Sequence, residues 1–279
     1  METARQPRLA IPIVMYLVAG MLVAAVIGWS VMVLRTRMIP PPPAGPALPP
    51  APLSGTKPSA EATENPRHVE ARRRMVEEQL RGRDIIDGEV LEVIGRIPRQ
   101  RFVPKHLQAQ AYVDGPLPIG HGQTISQPYI VALMTQAVRP RPESRVLDIG
   151  TGSGYQAAVL AELCKEVYSI EIIKPLAESA RERLAALGYK NITVRCGDGY
   201  KGWPEKAPFD VIVVAAAPDH VPQPLVEQLA PGGRLVIPVG SYFQELVVIE
   251  KQKDGTTRRE SIAPVMFVPM RGEAEEAGR

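Results

Sequence analysis

The residues best suited to chemistry form a glycine-rich turn after a short apolar segment, and the stretch from Val146 to Tyr155 reads VLDIGTGSGY. Glycines let the backbone take unusual angles and let a ligand approach closely, and the N-terminus of the helix that follows offers free amides. A turn that binds a dinucleotide has the spacing G-x-G-x-x-G. Here the spacing is G-x-G-x-G, with Asp148 two positions before the first glycine. This combination indicates S-adenosylmethionine rather than a pyrophosphate, and a tight strand-to-helix turn without a ligand is the alternative.

Two further carboxylates follow the next two predicted strands. Glu171 ends the segment YSIE, about 20 residues after the glycine turn, where a carboxylate holds the ribose diol in nucleotide-binding βαβ units. Asp198 follows the third strand, where an acidic side chain can accept a hydrogen bond from an adenine amino group. A single acid of this kind is more often a loop carboxylate or a helix cap. Asp148, Glu171 and Asp198 in this order predict one crevice at the carboxyl ends of three strands.

The elements that must position these residues begin with two helices, predicted at 67–81 and 89–97. The arginines at 72–74 are interpreted as part of a solvated helix face. Strands then alternate with helices, which predicts an α/β fold with a doubly wound, mostly parallel, Rossmann-like sheet. The predicted strands cover 145–149, 167–170, 192–195, 210–215, 234–238, 246–251 and 264–268, and the predicted helices between them cover 156–163, 175–187 and 222–229.

A long loop from Ala111 to Ile130, punctuated by glycine and proline, is not explained by any periodicity. It leads into a helix that is predicted to begin near Pro128. Ser126 is placed to cap that helix with its hydroxyl. This capping role is the structural interpretation of Ser126, and it is compatible with a functional role of the same side chain.

Several blocks of the chain carry a more specific pattern. They are MVEEQLRGRDI, RFVP at 101–104, AYVDGPLPIGHGQTISQPYIVALM, VLDIGTGSGYQAAVLA, CGDGYKG, QLAPGGRLVIPVG and FVPM at 267–270. With these blocks the chain resembles the protein-L-isoaspartate O-methyltransferases over about residues 70–271. The GQTISQP segment is specific to that family, whereas the glycine turn is common to many methyltransferases. Asp84 departs from the family pattern, which often has glycine before the isoleucine at this place.

The resemblance implies an activity and a set of site residues. The activity is methyl transfer from S-adenosylmethionine to the free carboxylate of L-isoaspartyl residues in proteins and peptides, which initiates their repair. Ser126 matches the family's active-site serine, and no metal is implied. The implied cofactor contacts are Ile119, Gly120, Asp148, Gly150, Thr151, Gly152, Ser153, Gly154, Glu171, Ile172, Asp198 and Gly199, and the implied substrate contacts are Thr124, Ile125, Gln127 and Pro128.

Composition excludes several other classes of function. The net charge of +3 and the 5% of aromatic residues provide no basic aromatic surface, so no nucleic-acid partner is expected. Cys164 and Cys196 lack a C-x-x-C spacing and the four histidines lack the H-E-x-x-H spacing, so neither a disulfide framework nor a metal site is expected. The catalytic domain is expected to be monomeric. A methyltransferase of the same fold for a small molecule or RNA, and a tethered module that binds the cofactor without turnover, are the alternatives.

The chain divides into an N-terminal anchor at 1–37, a proline-rich linker at 38–66, the methyltransferase domain at 67–271 and a disordered tail at 272–279. Residues 9–34 carry no charge. As a helix they would extend about 39 Å at about 1.5 Å per residue, enough to cross a hydrocarbon core of about 30 Å. A single transmembrane helix is therefore predicted. A secretory signal is the alternative, although the apolar region of such signals is usually shorter.

The orientation of this anchor is not decided by charge, because arginines flank both of its ends. S-adenosylmethionine is charged and made in the cytosol, so an active domain needs access to the cytosol. The catalytic domain is therefore expected in the cytoplasm, with a periplasmic or other extracytoplasmic domain as the alternative.

Overall fold

The computed structural model describes residues 64–272. The predicted anchor at 9–34, nearly all of the linker at 38–66 and all but the first residue of the tail at 272–279 lie outside the described residues. Among the helices of the described range, none is long and apolar enough to cross a bilayer.

The described chain forms a small hairpin and a larger sheet. Its strands are β1 (Leu117–Gly120), β2 (Gln123–Ile125), β3 (Arg145–Ile149), β4 (Glu166–Glu171), β5 (Ile192–Cys196), β6 (Phe209–Val214), β7 (Leu229–Val239), β8 (Gln244–Lys251) and β9 (Thr257–Val265). β1 and β2 pair with each other as the hairpin. The other seven form one sheet in the order β5-β4-β3-β6-β7-β8-β9.

The large sheet is mostly parallel. Neighbours from β5 across to β7 run parallel, and only the pairs β7–β8 and β8–β9 are antiparallel. The chain winds from β3 outward through β4 to β5 and then returns to the other side of β3 at β6. Ligands of open α/β sheets bind outside the carboxyl ends of the strands at such a reversal. The prediction of a doubly wound, mostly parallel sheet is confirmed.

The helices are α1 (Pro66–Arg74), α2 (Gly88–Arg96), α3 (Pro128–Val138), α4 (Tyr155–Leu163), α5 (Lys174–Ala186) and α6 (Gln223–Glu227). The predicted helix at 67–81 is present, although its second half, Met75–Arg81, is wound as a π-helix. The interpretation of 72–74 as a solvated face was wrong for Arg72. That side chain is buried, and its guanidinium donates to both carboxylate oxygens of Glu64 at 2.6 and 2.8 Å.

Apolar residues cover both faces of the sheet because successive side chains of a strand point to opposite sides. In β3, Val146 belongs to the larger apolar cluster and Leu147 to the smaller one. The larger cluster also takes in α2, α3 and α4, and the smaller one contains Trp203, Phe209 and Leu225. Both faces are thus covered by apolar side chains, and polar groups meet at the carboxyl edge of the sheet.

Three predicted boundaries at the end of the chain were wrong. The last strand lies at Thr257–Val265 rather than at 264–268, and β7 begins at Leu229 rather than at 234. The predicted helix at 222–229 is reduced to α6. β9 is a largely exposed edge strand, so its hydrogen bonds to β8 decide its position and no alternation of apolar residues marks it.

Candidate active site

The glycine turn between β3 and α4 has the geometry that its sequence predicts. Gly150, Gly152 and Gly154 have φ values of +89°, +51° and +87°, which side chains with a Cβ rarely adopt. The Gly150 and Thr151 amides donate to the carbonyl of Ile170 at 2.9 and 3.2 Å. The turn is therefore fixed to the end of β4 before any ligand binds.

Asp148 lies beneath this turn and is fully buried. The hydroxyl of Ser169 donates to Asp148 Oδ2 at 2.7 Å, and Thr151 Oγ1 lies 2.5 Å from Ser169 Oγ. Because Ser169 gives its one proton to Asp148, Thr151 is the donor of the second bond. Asp148 Oδ1 is buried and has no hydrogen-bond partner among residues 64–272. Burial, opposed by the Ser169 hydrogen bond and assisted by the negative charge of Glu171, raises the pKa of Asp148 to about 7.

Glu171 ends β4 beside the same turn, and its side chain is almost completely buried. Its two oxygens accept hydrogen bonds from the backbone amides of Gly152 at 2.8 Å and Ile173 at 2.9 Å. The carboxylate thus holds the glycine turn in place and keeps further lone pairs as acceptors. Ile172, the next residue, exposes 39% of its surface and borders the site on its solvent side.

Asp198 follows β5 and caps the short 3-10 helix Gly199–Lys201 by accepting a hydrogen bond from the Tyr200 amide at 2.9 Å. A Cβ on Gly199 would lie 2.4 Å from Ile149 Cγ2 and 3.0 Å from Met270 Cε. The small size of Gly199 is therefore required by packing at the end of β3. This contact also brings the Asp198 loop next to the glycine turn.

The hairpin of β1 and β2 lies against the turn from another side. A Cβ on Gly152 would lie 3.3 Å from Ile119 Cδ1, so the Ile119 side chain packs next to the turn. The hairpin reverses through Gly120, His121 and Gly122, which all have positive φ. Ile119, predicted from the family resemblance, is thus next to Gly152, whose amide donates to Glu171, and Gly120 follows it at the start of the reversal.

Ser126 directly follows β2 and is half-buried. The prediction that it caps α3 was wrong, because Gln127 occupies the N-cap position and no side chain caps the helix. α3 begins with Pro128, a residue favoured at the first helical position, so Ser126 lies one residue before the N-cap position. Ser126 therefore caps no helix. Its backbone carbonyl accepts a hydrogen bond from Arg99 Nη2 at 2.7 Å.

The other residues of the predicted substrate set differ in exposure. Thr124 is exposed, and Gln127 donates through Nε2 to Asp114 Oδ1 at 2.7 Å. Ile125 is buried in the larger apolar cluster and Pro128 is buried at the start of α3. The last two therefore hold the segment in place, while Thr124 and Gln127 lie on its outer side.

Three features of the site were not predicted from the sequence: the roles of Arg99 and Ser169, and the path of the segment 266–270. Ser169 is a buried polar residue within an apolar strand, and that pattern was the available signal. The segment 266–270 was taken partly as a strand, but it crosses the carboxyl edge of the sheet. Met270 donates its amide to the carbonyl of Ala217 at 2.8 Å, and Ala217 donates to Val268 at 2.9 Å.

Comparisons with known proteins agree with this geometry. A family profile described as protein-L-isoaspartate(D-aspartate) O-methyltransferase matches residues 70–275. Protein-L-isoaspartate O-methyltransferase 2 of Syntrophobacter fumaroxidans is 56% identical over 208 residues, which cover 74% of this chain and 84% of that protein. The protein-L-isoaspartate O-methyltransferase of Opitutus terrae is 57% identical over 199 residues, covering 71% and 85%.

Two solved structures are also similar. One is a protein-L-isoaspartate O-methyltransferase, 30% identical with a TM-score of 0.65, in an alignment that covers 73% of this chain and 66% of that one. The other comes from Plasmodium falciparum and was solved in complex with S-adenosyl-L-homocysteine; it is 28% identical with a TM-score of 0.63, covering 75% of this chain and 99% of that one. From the matched profile and these relatives, the chain belongs to the protein-L-isoaspartate(D-aspartate) O-methyltransferase family.

Proposed function

We propose that this protein transfers a methyl group from S-adenosylmethionine to the free carboxylate of L-isoaspartyl residues in proteins and peptides, and so initiates their repair. One observation carries the proposal. The hairpin that leads into Ser126 lies directly on the glycine turn, with Ile119 Cδ1 at 3.3 Å from the position of a Gly152 Cβ. A segment specific to this family therefore borders a turn of the kind that binds S-adenosylmethionine, and an acceptor held at Ser126 would be close to a cofactor held at the turn.

The residues present suit this cofactor. S-adenosylmethionine carries an ammonium, an adenine amino group and two ribose hydroxyls, all of which are hydrogen-bond donors. The site offers the carboxylates of Asp148, Glu171 and Asp198, and the unpartnered Oδ1 of Asp148 is an acceptor that a ligand donor would satisfy. Leaving such a buried acceptor unsatisfied costs about 1–3 kcal/mol, so binding a donor there is favourable.

When bound, the cofactor supplies an electrophilic methyl group on its sulfonium. Glu171 and Asp198 are assigned to the ribose hydroxyls and the adenine amino group, with Gly120, Ser153, Ile172 and Gly199 around them. Asp148, through Ser169 and Thr151, fixes the turn Gly150–Gly154. These residues fix the position of the methyl donor, so that the rate depends on the position of the acceptor carboxylate.

The acceptor needs orientation rather than activation. A free carboxylate with an ordinary pKa near 3.9 is already ionised at pH 7, so no general base is required. Ser126 is assigned to hold the isoaspartyl carboxylate by donating its hydroxyl, with Thr124 and Gln127 beside the peptide. Alignment of reacting atoms in this way can contribute about 7–11 kcal/mol.

The test is a methylation assay of the full-length protein with a pair of peptides that differ only in one linkage. One contains L-isoaspartate and its twin contains aspartate at the same position. Methylation of the first and not of the second is expected, because the free carboxylate of isoaspartate is attached directly to the main chain, whereas that of aspartate stands one carbon further away. Equal rates on both peptides, or no methylation of either by protein that binds S-adenosylhomocysteine, would refute the proposal.

We further propose that residues 9–34 anchor this protein in a membrane and that the catalytic domain works in the cytoplasm as a monomer. The uncharged apolar composition of 9–34 supports the anchor. The cytosolic origin of the cofactor supports the cytoplasmic location of the catalytic domain. The monomer is supported by Ser126, Asp148, Glu171 and Asp198 all belonging to one chain. The proline-rich segment at 38–66 would then be the spacer between membrane and enzyme.

A further inference from the structure

Arg99 is a buried charge that the proposed mechanism does not use. It begins the short 3-10 helix Arg99–Phe102, and its side chain is 0% exposed. Burial lowers its pKa, and the groups that oppose this effect are the two tyrosines Tyr155 and Tyr112 rather than a carboxylate. Burying a charge without a counter-charge is costly. The guanidinium must therefore make interactions that a neutral side chain could not replace.

Two of its donors join the ends of one loop. Arg99 Nε donates to the carbonyl of Ala111 at 2.7 Å, and Nη2 donates to the carbonyl of Ser126 at 2.7 Å. Between these two carbonyls lie the β1–β2 hairpin and Ile119. A guanidinium presents its donors in a rigid planar fork, so it fixes the separation of the two carbonyls.

The same guanidinium also lies against the residue that follows the glycine turn. The guanidinium carbon is 4.8 Å from the ring centroid of Tyr155, within the range of a cation–π contact. Tyr155 is the first residue of α4 and directly follows Gly154 of the glycine turn. Its ring is also packed edge-on against Phe102, at 5.3 Å between centroids. Arg99 thus contacts both the segment that carries Ser126 and the residue that follows the turn.

We propose that Arg99 is a positioning residue that sets the Ser126 segment relative to the glycine turn, and thereby sets the distance between acceptor carboxylate and donor methyl group. This inference rests on the proposed function. It gives a role to a buried guanidinium that forms no ion pair with a carboxylate of residues 64–272, because a neutral side chain could fill the same space at a lower desolvation cost. Arg99 acts through Ser126 and does not touch the substrate.

The test uses Arg99→Lys in the full-length protein. Lysine keeps the charge near Tyr155 but has a single ammonium, which cannot reproduce the fork to Ala111 and Ser126. We expect kcat to fall about 10- to 100-fold, the scale of a displacement of about 1 Å in a reacting geometry. The affinity for S-adenosylhomocysteine should stay unchanged, because the glycine turn and its carboxylates are intact.

Arg72→Lys is the matched control. Arg72 is also buried, but it donates to Glu64, to the carbonyl of Gly95 and to the hydroxyl of Tyr112 at 3.3 Å, so it reaches the start of the loop without a hydrogen bond to Ala111 or Ser126. The variant Arg72→Lys should lower the free energy of unfolding and leave kcat unchanged. Equal effects of both lysine variants on kcat would mean that Arg99 only stabilises the domain.

A double-mutant cycle with Ser126→Ala separates positioning from general damage. If Arg99 acts through Ser126, Arg99→Lys should reduce the residual kcat of Ser126→Ala much less than it reduces that of the wild type. Additive losses would overturn the inference, as would a wild-type kcat in Arg99→Lys. If the lysine variant does not fold, Arg99→Gln takes its place in the cycle, and failure of both to fold would assign Arg99 a purely structural role. Absence of methylation by the wild type would instead refute the proposed function.

Discussion

The most informative perturbation is Asp148→Asn, which removes a buried negative charge beneath the glycine turn. Aspartate has an ordinary pKa of 3.8, and that of Asp148 is raised to about 7 by burial and then by the charge of Glu171. The folded protein therefore holds a proton that the unfolded chain has released between these two pH values. Stability due to this group is accordingly greatest at low pH and falls as the pH rises toward about 7.

The magnitude follows from linkage. Each pH unit over which only the folded state holds the proton changes the free energy of unfolding by about 1.4 kcal/mol. Between pH 5 and pH 8 the contribution of Asp148 falls by about 2.5 kcal/mol, because the folded state also begins to ionise near the top of that range. The asparagine side chain of the variant has no charge to ionise. The free energy of unfolding of the variant, relative to that of the wild type, should thus rise by about 2.5 kcal/mol from pH 5 to pH 8.

The assay is urea unfolding of the cofactor-free full-length protein and of Asp148→Asn at pH 5 and pH 8, extrapolated linearly to water. A constant offset between the two proteins is allowed, because the asparagine amide replaces the unpartnered Oδ1 at a cost that does not depend on pH. Asp254→Asn is the control. Asp254 is exposed and its pKa is lowered by hydrogen bonds from Thr256, so it is ionised throughout this pH range and its replacement should give no pH-dependent difference. A difference between Asp148→Asn and wild type that is the same at both pH values would show that the pKa of Asp148 is not raised in the folded protein.

Four other outcomes are expected. The affinity of the wild type for S-adenosylhomocysteine should fall as the pH drops below about 7, because protonated Asp148 is the poorer acceptor; calorimetry that finds no such fall would remove Asp148 from the cofactor site. Ser126→Ala should lower kcat far more than it lowers cofactor affinity, and it should leave the free energy of unfolding unchanged because the hydroxyl caps no helix; wild-type turnover would exclude Ser126 from the mechanism. Glu171→Ala and Asp198→Ala should each weaken S-adenosylhomocysteine binding by about 1.5–3 kcal/mol, the range for hydrogen bonds to charged groups, and unchanged affinity in both would mean that the crevice lies elsewhere. Protease added outside intact cells should spare the catalytic domain, whereas digestion from outside would place that domain beyond the membrane.

The turn and its carboxylates could be predicted from the sequence because the signals are local. A buried strand, a glycine turn and a helix follow one another within a few residues, and backbone sterics allow few arrangements for them. Parallel strands end at the same edge of a sheet, so Asp148, Glu171 and Asp198 had to come together once the alternation of strands and helices was recognised. Both steps depend on chain order alone.

Other features depended on which segments pack against each other. The sequence suggests Ser126 as a helix cap, but the helix begins one residue later, with Gln127 at the N-cap position, and the Ser126 carbonyl accepts a hydrogen bond from Arg99, 27 residues away. β9 could not be located because an exposed edge strand is held by its hydrogen bonds to a neighbour and needs no apolar alternation. The raised pKa of Asp148 likewise follows from burial beneath the turn, and desolvation depends on how the whole domain closes around the carboxylate. The turn and the edge where its carboxylates meet are thus determined by the sequence, while the charge state of Asp148 and the position of the Ser126 segment are decided by long-range packing.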